Sequence, residues 1–240
     1  LLLATPRIRG ERQAEIRLFM KGDHVFQNHC AECHGKSGRG DGPLAHDTPV
    51  KPRNFRTGIF KFRSTPVGFL PTDADLTRTI RTGVAGTIMP SFNHLAEDEV
   101  TAVIAYIKGL SRRWKDPKLI THPVRIPKTP PWLEDEGSPH LKAGNATFAT
   151  HSATCHGTTG KGDGPASQGL NDVWGHPVTP APLGGPHHRS GPTPADLFLT
   201  IATGLDGTPM TGHLPSLGPD KIWELVAFIK SLPPRAPQAP

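Results

Sequence analysis

Cysteine, methionine and tyrosine are scarce in this chain of 240 residues, which has three, three and one of them respectively. An odd number of cysteines excludes a fold held purely by intramolecular disulfides. No apolar run is long enough to cross a membrane. The chain is 20% charged and 35% hydrophobic, too little charge and too much apolar content for a wholly disordered protein. Glycine (26) and proline (27) are abundant instead, which predicts long irregular loops and little sheet.

The sequence consists largely of two similar repeats. Matching residues keep their order over about ninety positions, which indicates a duplication. At an offset of 122 the aligned segments are Cys33-His34-Gly35 with Cys155-His156-Gly157, and Gly40-Asp41-Gly42-Pro43 with Gly162-Asp163-Gly164-Pro165; at an offset of 121, Met89 aligns with Met210.

Helical periodicity recurs at matching places in both repeats. Residues 12–29 are expected to form a helix, and residues 74–82 and 195–203 two short ones. No segment alternates apolar and polar residues for long enough to predict a strand, so the expected fold class is all-α. The apolar positions of the final helices, at i, i+3, i+4 and i+7, are Val100, Val103, Ile104 and Ile107, and Ile222, Leu225, Val226 and Ile229.

These patterns predict two helical domains, at 12–112 and 141–233. A proline-rich segment, 113–140, is expected to be an extended and semi-rigid linker. Residues 234–240 are expected to be a disordered tail. Leu1-Leu2-Leu3-Ala4 is either the remnant of a removed signal or anchor, or a loose end.

Charge is divided unevenly along the chain. Residues 1–128 hold 21 basic and 12 acidic residues, a net charge of +9, while residues 129–240 hold 6 and 9, a net charge of −3. A basic run is either a solvated loop or a patch that attracts an acidic partner. A nucleic-acid partner is not expected, because no binding motif accompanies the run and the second half is acidic. The run consists of Lys51, Arg53, Arg56, Lys61 and Arg63.

Cys30, Cys33 and His34 form a C-x-x-C-H string, which is typical of covalent c-type haem attachment. Two thiols one helical turn apart can each form a thioether with a haem vinyl group, and the histidine then becomes an axial iron ligand. A zinc site would need further cysteine or histidine ligands at suitable spacing. A thioredoxin-like pair would need an α/β fold.

The second repeat keeps Cys155 and His156 but has Ser152 at the first thiol position. In electron carriers, the haem iron commonly has methionine as its second axial ligand, opposite the histidine. Met89 and Met210 lie in register behind the two histidines, whereas Met20 has no counterpart. This register predicts iron ligation by His34 with Met89, and by His156 with Met210.

Each repeat resembles a class I cytochrome c domain, and the whole chain resembles a tandem dihaem cytochrome c. The resemblance implies that the first and last helices of each domain cross near Gly22 and Gly144. It also implies single-electron transfer in the periplasm or at the periplasmic face of the inner membrane. The features that carry it are the aromatic residues Phe26 and Phe148, the Cys-His-Gly and Gly-Asp-Gly-Pro strings, the methionine in a glycine-rich loop, and the final-helix aromatics Tyr106 and Phe228.

Ser152 departs from that family pattern, because a hydroxyl cannot form the thioether. Either the second domain has lost its haem and become structural, or it holds haem through Cys155 alone. Retention of His156 and Met210 favours a second haem with one thioether. His213, or the pair His187-His188, could replace Met210 as distal ligand. Asp41 and Asp163 are expected to shape turns with their flanking glycines.

The expected protein is thus a dihaem relay between redox proteins, one of them acidic and docked on the basic first domain. It is expected to be a subunit or dedicated partner of a respiratory or dehydrogenase complex, which could be bound to the membrane. With both axial positions filled, no catalysis is expected. The alternatives are a peroxidase-like or thiosulfate-oxidising dihaem enzyme with one labile distal ligand, and an interaction module whose second domain lacks haem.

Overall fold

The computed structural model describes residues 6–46, 48–185 and 188–234, with side chains described from residue 10 onward. Across these ranges the chain forms eight α-helices and no strand, so the predicted all-α class is confirmed. The segment Leu1–Ala4 and nearly all of the predicted tail lie outside the described residues. The helices are α1 (Pro6–His29), α2 (Ala31–His34), α3 (Asp73–Thr82), α4 (Glu97–Gly109), α5 (Pro139–His151), α6 (Ala153–His156), α7 (Pro194–Thr203) and α8 (Leu214–Ser231).

The short helices α3 and α7 begin one residue before the predicted positions because both have a capping box. The hydroxyl of Thr72 accepts a hydrogen bond from the backbone of Asp75, whose carboxylate accepts one from the backbone of Thr72. Thr193 and Asp196 repeat this arrangement at the start of α7. Reciprocal capping satisfies two backbone donors that the first turn would otherwise leave unpaired.

The helices assemble into two units. Unit 1 comprises the residues up to Phe60 together with Phe69–Gly83 and Thr87–Thr121. Unit 2 comprises Lys61–Gly68, Val84–Gly86 and the residues from His122 onward. A short piece of the first repeat's sequence is therefore part of unit 2.

In unit 1, α1 crosses α4 at Gly22. A β-carbon at this position would overlap the carbonyl oxygen of Ala102 and crowd the side chain of Tyr106. One turn further along α1, the ring of Phe26 lies 5.0 Å from that of Tyr106. Glycine thus lets the two backbones approach closely enough for the aromatic rings beside them to pack.

Unit 2 repeats the crossing with α5 and α8. A β-carbon at Gly144 would overlap the carbonyl oxygen of Glu224, and the Phe148 ring lies 5.1 Å from that of Phe228. The regular part of α8 begins at Pro219, because Gly218 has non-helical angles (φ 73°, ψ 170°). The crossing that the family resemblance implies is therefore present in both units.

The segment predicted as an extended linker has three short 3₁₀-helices along it, at Arg112–Lys115, Pro117–Leu119 and Pro131–Glu134. The last of them carries Leu133, which is 6% exposed and belongs to the core of unit 2. Glu134 also forms an ion pair with Lys230 of α8. The end of this segment packs because Leu133 supplies apolar surface that the core buries.

Within the described ranges, no helix has both the length and the apolar content that a membrane span requires.

Candidate haem-binding sites

Each attachment string forms a tight turn between two helices. Cys30 separates α1 from α2 with φ −122° and ψ −29°. Ser152 separates α5 from α6 with φ −125° and ψ −34°. The backbone therefore directs the side chain of Ser152 along the same path as that of Cys30, although the first carries a hydroxyl and the second a thiol.

The Gly-Asp-Gly loop closes on this turn. In unit 1 the amide of Gly40 donates to the carbonyl of His34 at 2.8 Å, and that of Gly42 donates to Cys33 at 3.2 Å. The corresponding bonds of unit 2, from Gly162 to His156 and from Gly164 to Cys155, have the same lengths. The carboxylates of Asp41 and Asp163 pack against Gly35 and Gly157, respectively. These loops fix the backbone that carries the thiols and the imidazoles.

A backbone carbonyl orients each imidazole. Nδ1 of His34 lies 2.9 Å from the carbonyl oxygen of Arg53, and Nδ1 of His156 lies 3.0 Å from that of Ala181. With Nδ1–H donating to the carbonyl, Nε2 carries the lone pair and can bind a metal ion. In unit 1 the ring of Phe55 also stacks on His34 at 4.4 Å.

These two carbonyls were not predicted from the sequence. They stand at offsets of 19 and 25 residues from their histidines, so the repeat register does not align them. A weak signal was available, because Arg53 and Ala181 each follow a proline directly. Proline fixes the local backbone but does not reveal which residue a carbonyl will contact.

Burial lowers the pKa of both His34 and His156, while the hydrogen bonds of their rings to the carbonyls of Arg53 and Ala181 oppose part of that decrease. A lowered pKa keeps the imidazole neutral at neutral pH, which is the form that binds iron. In the apo-chain, the unfolded state binds these protons more tightly than the folded state. Acidification through the ordinary histidine pKa therefore favours unfolding.

The thiols of the first string are protonated at neutral pH. Burial raises the pKa of Cys30 to about 12, with a smaller contribution from Cys33. Burial also raises the pKa of Cys33, and Glu32 adds to the increase. Since neither thiol is ionised, the turn carries no buried negative charge before attachment.

Met89 and Met210 lie half-buried on loops that follow α3 and α7. The amide of Met89 donates to the hydroxyl of Thr87 at 3.1 Å, and that of Met210 donates to Thr208 at 3.2 Å. Gly204, at the end of α7, has φ 65° and leaves no room for a β-carbon beside the Met210 carbonyl. The two threonines, which the sequence analysis did not single out, thus shape both methionine loops alike.

The alternative distal histidines are placed differently. The ring of His213 lies 6.0 Å from that of His151, and burial together with His151 lowers the pKa of His213. His188 forms a backbone bridge with Gly191. His187 lies outside the described residues.

The basic run does not form one exposed patch. Lys51 and Arg56 are exposed and Arg53 and Lys61 are partly buried. Arg63 is only 2% exposed. The expectation that all five residues could face an acidic partner is therefore wrong for Arg63, whose guanidinium binds groups within unit 2.

The side chains at both positions fit a c-type haem. Each unit offers an imidazole whose Nε2 is available, at least one thiol on the same turn, and a thioether sulfur on a loop fixed by a threonine. Imidazole and thioether are the axial pair of cytochromes c. In the part of the chain that the structure describes, no group of three or more histidine, cysteine, aspartate or glutamate residues could hold a bare metal ion.

Comparison with known proteins gives the same result for both repeats. Residues 17–107 match the family profile described as cytochrome c oxidase, cbb3-type, subunit III, and residues 141–233 match the profile described as cytochrome c. Among solved structures, a chain of the Kuenenia stuttgartiensis reducing HAO-like protein complex is 33% identical, with a TM-score of 0.83. The alignment covers 89% of this chain and 96% of that chain.

No curated protein matched the chain. The two profiles nonetheless cover one repeat each, and two cytochrome c domains imply two c-type haems and a role in electron transfer. The predicted duplication, cofactor and family are thus confirmed, and the chain belongs to the cytochrome c family, with two cytochrome c domains in tandem.

Proposed function

We propose that this protein relays single electrons between two redox proteins in the periplasm or at the periplasmic face of the inner membrane, as a subunit or dedicated partner of a respiratory or dehydrogenase complex. The observation that carries the proposal is the matched pair of imidazoles, each oriented by a backbone carbonyl with Nε2 available. When bound, c-type haem supplies reversible one-electron transfer. The similar chain from an HAO-like protein complex supports a role inside an oxidoreductase assembly.

In the first domain, proposed at 12–112, Cys30 and Cys33 would hold the haem by two thioethers, and His34 and Met89 would bind its iron. The carbonyl of Arg53 accepts the Nδ1 proton of His34, which fixes the ring and makes Nε2 a better donor. With both axial positions of the iron filled by His34 and Met89, no position would be left for a substrate, so this residue set would serve electron transfer rather than catalysis.

In the second domain, proposed at 141–233, Cys155 would form the only thioether, and Ser152 would stand at the unused attachment position. His156 and Met210 would bind the iron. The nearly identical backbone angles at Ser152 and Cys30 support a ring seated in the same way at both turns. The segment 113–140 then serves as the linker, and 234–240 as the tail.

Charge supports different partners for the two halves of the chain. The first 128 residues carry a net charge of +9, and the remainder −3. Lys51 and Arg56 are exposed in the basic run. An acidic partner therefore docks on the first domain, since opposite charges steer association and set orientation.

Mass spectrometry and carbon monoxide binding on the purified holoprotein test this function together. We expect an intact mass with two haem increments, and no CO uptake by the reduced protein, because methionine fills both sixth positions. One haem increment would contradict the two-site relay. Ready CO uptake by the wild type would instead favour an enzyme with a labile distal ligand.

The substitution Ser152→Cys is expected to create a second thioether in the second domain. The two first attachment positions have nearly the same backbone angles, so we expect the new thiol to take the place that Cys30 has on the first turn and to form the second thioether. The visible α-band of the second haem should then move to shorter wavelength and coincide with that of the first. A reduced-minus-oxidised spectrum measures this shift.

Thr154→Cys is the matched control for that substitution, because it adds a thiol at an exposed position of the same turn. It should leave the α-band unchanged. If Ser152→Cys also leaves the band unchanged, the second haem does not sit on this turn in the proposed way.

A further inference from the structure

The segment Lys61–Gly68 belongs to unit 2, although its sequence precedes α3. Within this segment, Arg63 has a side chain that is 0% exposed. Nη2 of Arg63 donates to the carbonyl of Thr203 at 3.0 Å and to Oδ1 of Asp206 at 2.9 Å. Nη1 lies 3.4 Å from the carbonyl oxygen of Gly204. These acceptors all lie between the last residue of α7 and Met210.

Residues on both sides of this contact donate hydrogen bonds across it. The Asp206 carboxylate also accepts from the amide of Gly68 at 3.2 Å. The hydroxyl of Thr203 lies 3.4 Å from the carbonyl oxygen of Arg63 and donates to that of Leu199 at 2.8 Å. The methionine loop and the 61–68 segment therefore hold each other through side chains and backbone.

A buried guanidinium is costly unless charge and hydrogen bonds compensate it. Asp206 supplies the opposite charge and is itself 13% exposed. The carbonyl oxygens of Thr203 and Gly204 also accept hydrogen bonds from Arg63 at the end of α7, where a helix has unpaired acceptors, and Nε donates to the carbonyl of Pro66. Each partner thus depends on the other, and removing one leaves an uncompensated buried group.

The first repeat does not share this arrangement. At the repeat offset of 121 residues, Ala85 stands where the second repeat has Asp206. In unit 1 a different arginine binds the loop after the methionine. Arg81 of α3 donates to the carbonyls of Asn93 and Leu95 and pairs with Glu97. The two methionine loops are therefore held by separate arginines.

We propose that Arg63 is a positioning residue for the second haem site, where it fixes Thr203–Asp206 so that Met210 stays on the iron. The inference rests on the proposed ligation by Met210. The second site depends on this support more than the first, because Cys155 alone tethers the ring there. A thioether sulfur binds iron weakly, so a more mobile Met210 loop would lose the bond between its sulfur and the iron.

The test is Arg63→Gln in the holoprotein. The ferric protein should lose about half of the weak red absorption band that methionine–iron ligation produces, because only one of two sites changes. The reduced protein should gain CO binding of about one molecule per chain. Arg63→Lys keeps the charge beside Asp206 but loses the planar fork, so it should restore part of the band.

Two controls separate local from general effects. Arg17→Gln removes an exposed arginine of α1 and should change nothing. Arg81→Gln should affect only the first haem, identified by the α-band position that two thioethers give. If Arg63→Gln prevents maturation, Asp206→Asn provides a second variant, which removes the opposite charge but keeps the carbonyl contacts of Arg63 and should show loss of the same band.

Met210→Ala distinguishes the failure of this inference from the failure of the proposed ligation. If Met210→Ala removes half of the band and neither Arg63→Gln nor Asp206→Asn alters it, Arg63 does not position the ligand. If Met210→Ala itself leaves the band intact, the proposed ligand is wrong and the inference falls with it.

Discussion

Replacing Cys155 by alanine is expected to remove the second haem from the polypeptide. Cys155 is the only thiol of its string, because Ser152 stands at the other attachment position. Without a thioether, only the axial bonds of His156 and Met210 would retain the ring, and denaturation breaks both. About half of the covalently bound haem should therefore disappear, since one of two c-type haems loses its attachment.

The measurement is acid–acetone extraction followed by intact mass of the polypeptide. The mass should fall from two haem increments to one, apart from the change in the side chain. Cys30→Ala provides the matched control, because Cys33 remains in the first string. That variant should keep both haems and show a first α-band displaced to longer wavelength, like that of the second site.

If Cys155→Ala keeps two covalent haems, attachment of the second haem involves another group and our assignment of Cys155 is wrong. If the wild type itself has one haem, the second domain is structural. The comparison of Cys30→Ala with Cys155→Ala therefore tests separately whether a single thioether suffices and where it forms.

The substitution Gly22→Val is expected to have the largest effect on stability. Any β-carbon at this position would overlap the Ala102 carbonyl, and the branched side chain would also meet Tyr106. α1 and α4 would have to separate, which opens the packing between Phe26 and Tyr106. Overpacking of this kind costs about 1–3 kcal/mol, and rigid backbone on the opposing side places Gly22→Val at about 3 kcal/mol or more.

Gly10→Ala is the control within the same helix. Nothing lies within 4 Å of the β-carbon that it adds. It should therefore stabilise the protein by about 0.5–1 kcal/mol, as alanine does in an exposed helix interior. Denaturant unfolding followed through the haem absorption and far-ultraviolet circular dichroism gives both values. Equal effects of the two substitutions would show that α1 and α4 do not cross at Gly22.

Local signals in the sequence predicted much of the fold. The spacing of Ile222, Leu225, Val226 and Ile229 predicts a helix with one apolar face, and that face is buried in α8. The starts of α3 and α7 were predicted one residue late, although Thr72 and Thr193 were a local signal for them, because a capping box needs residues only three positions apart. The segment 113–140 was harder to predict, since the burial of Leu133 depends on a core formed by distant residues.

The candidate sites likewise contain residues that the sequence could indicate and others that it could not. The thiols, imidazoles and methionines carry their chemistry in their side chains, and the duplication places them in register, so the sequence alone is enough to propose them as haem-binding residues. The carbonyls of Arg53 and Ala181 have no such signature, because every residue has a carbonyl. Their partners became evident only with the folded backbone.

The sequence by itself determined that this chain is a duplicated, helical, haem-binding protein, because those properties depend on residue types at short and repeated spacings. Only the tertiary structure decided the position of Arg63, which is one of five cations in a basic run and yet lies buried against Thr203 and Asp206. Those partners are about 140 residues away, and the carbonyl among them leaves no trace in the sequence. The charge of an arginine predicts that it needs a partner, but whether that partner is water, another protein or the chain itself depends on where the backbone brings it.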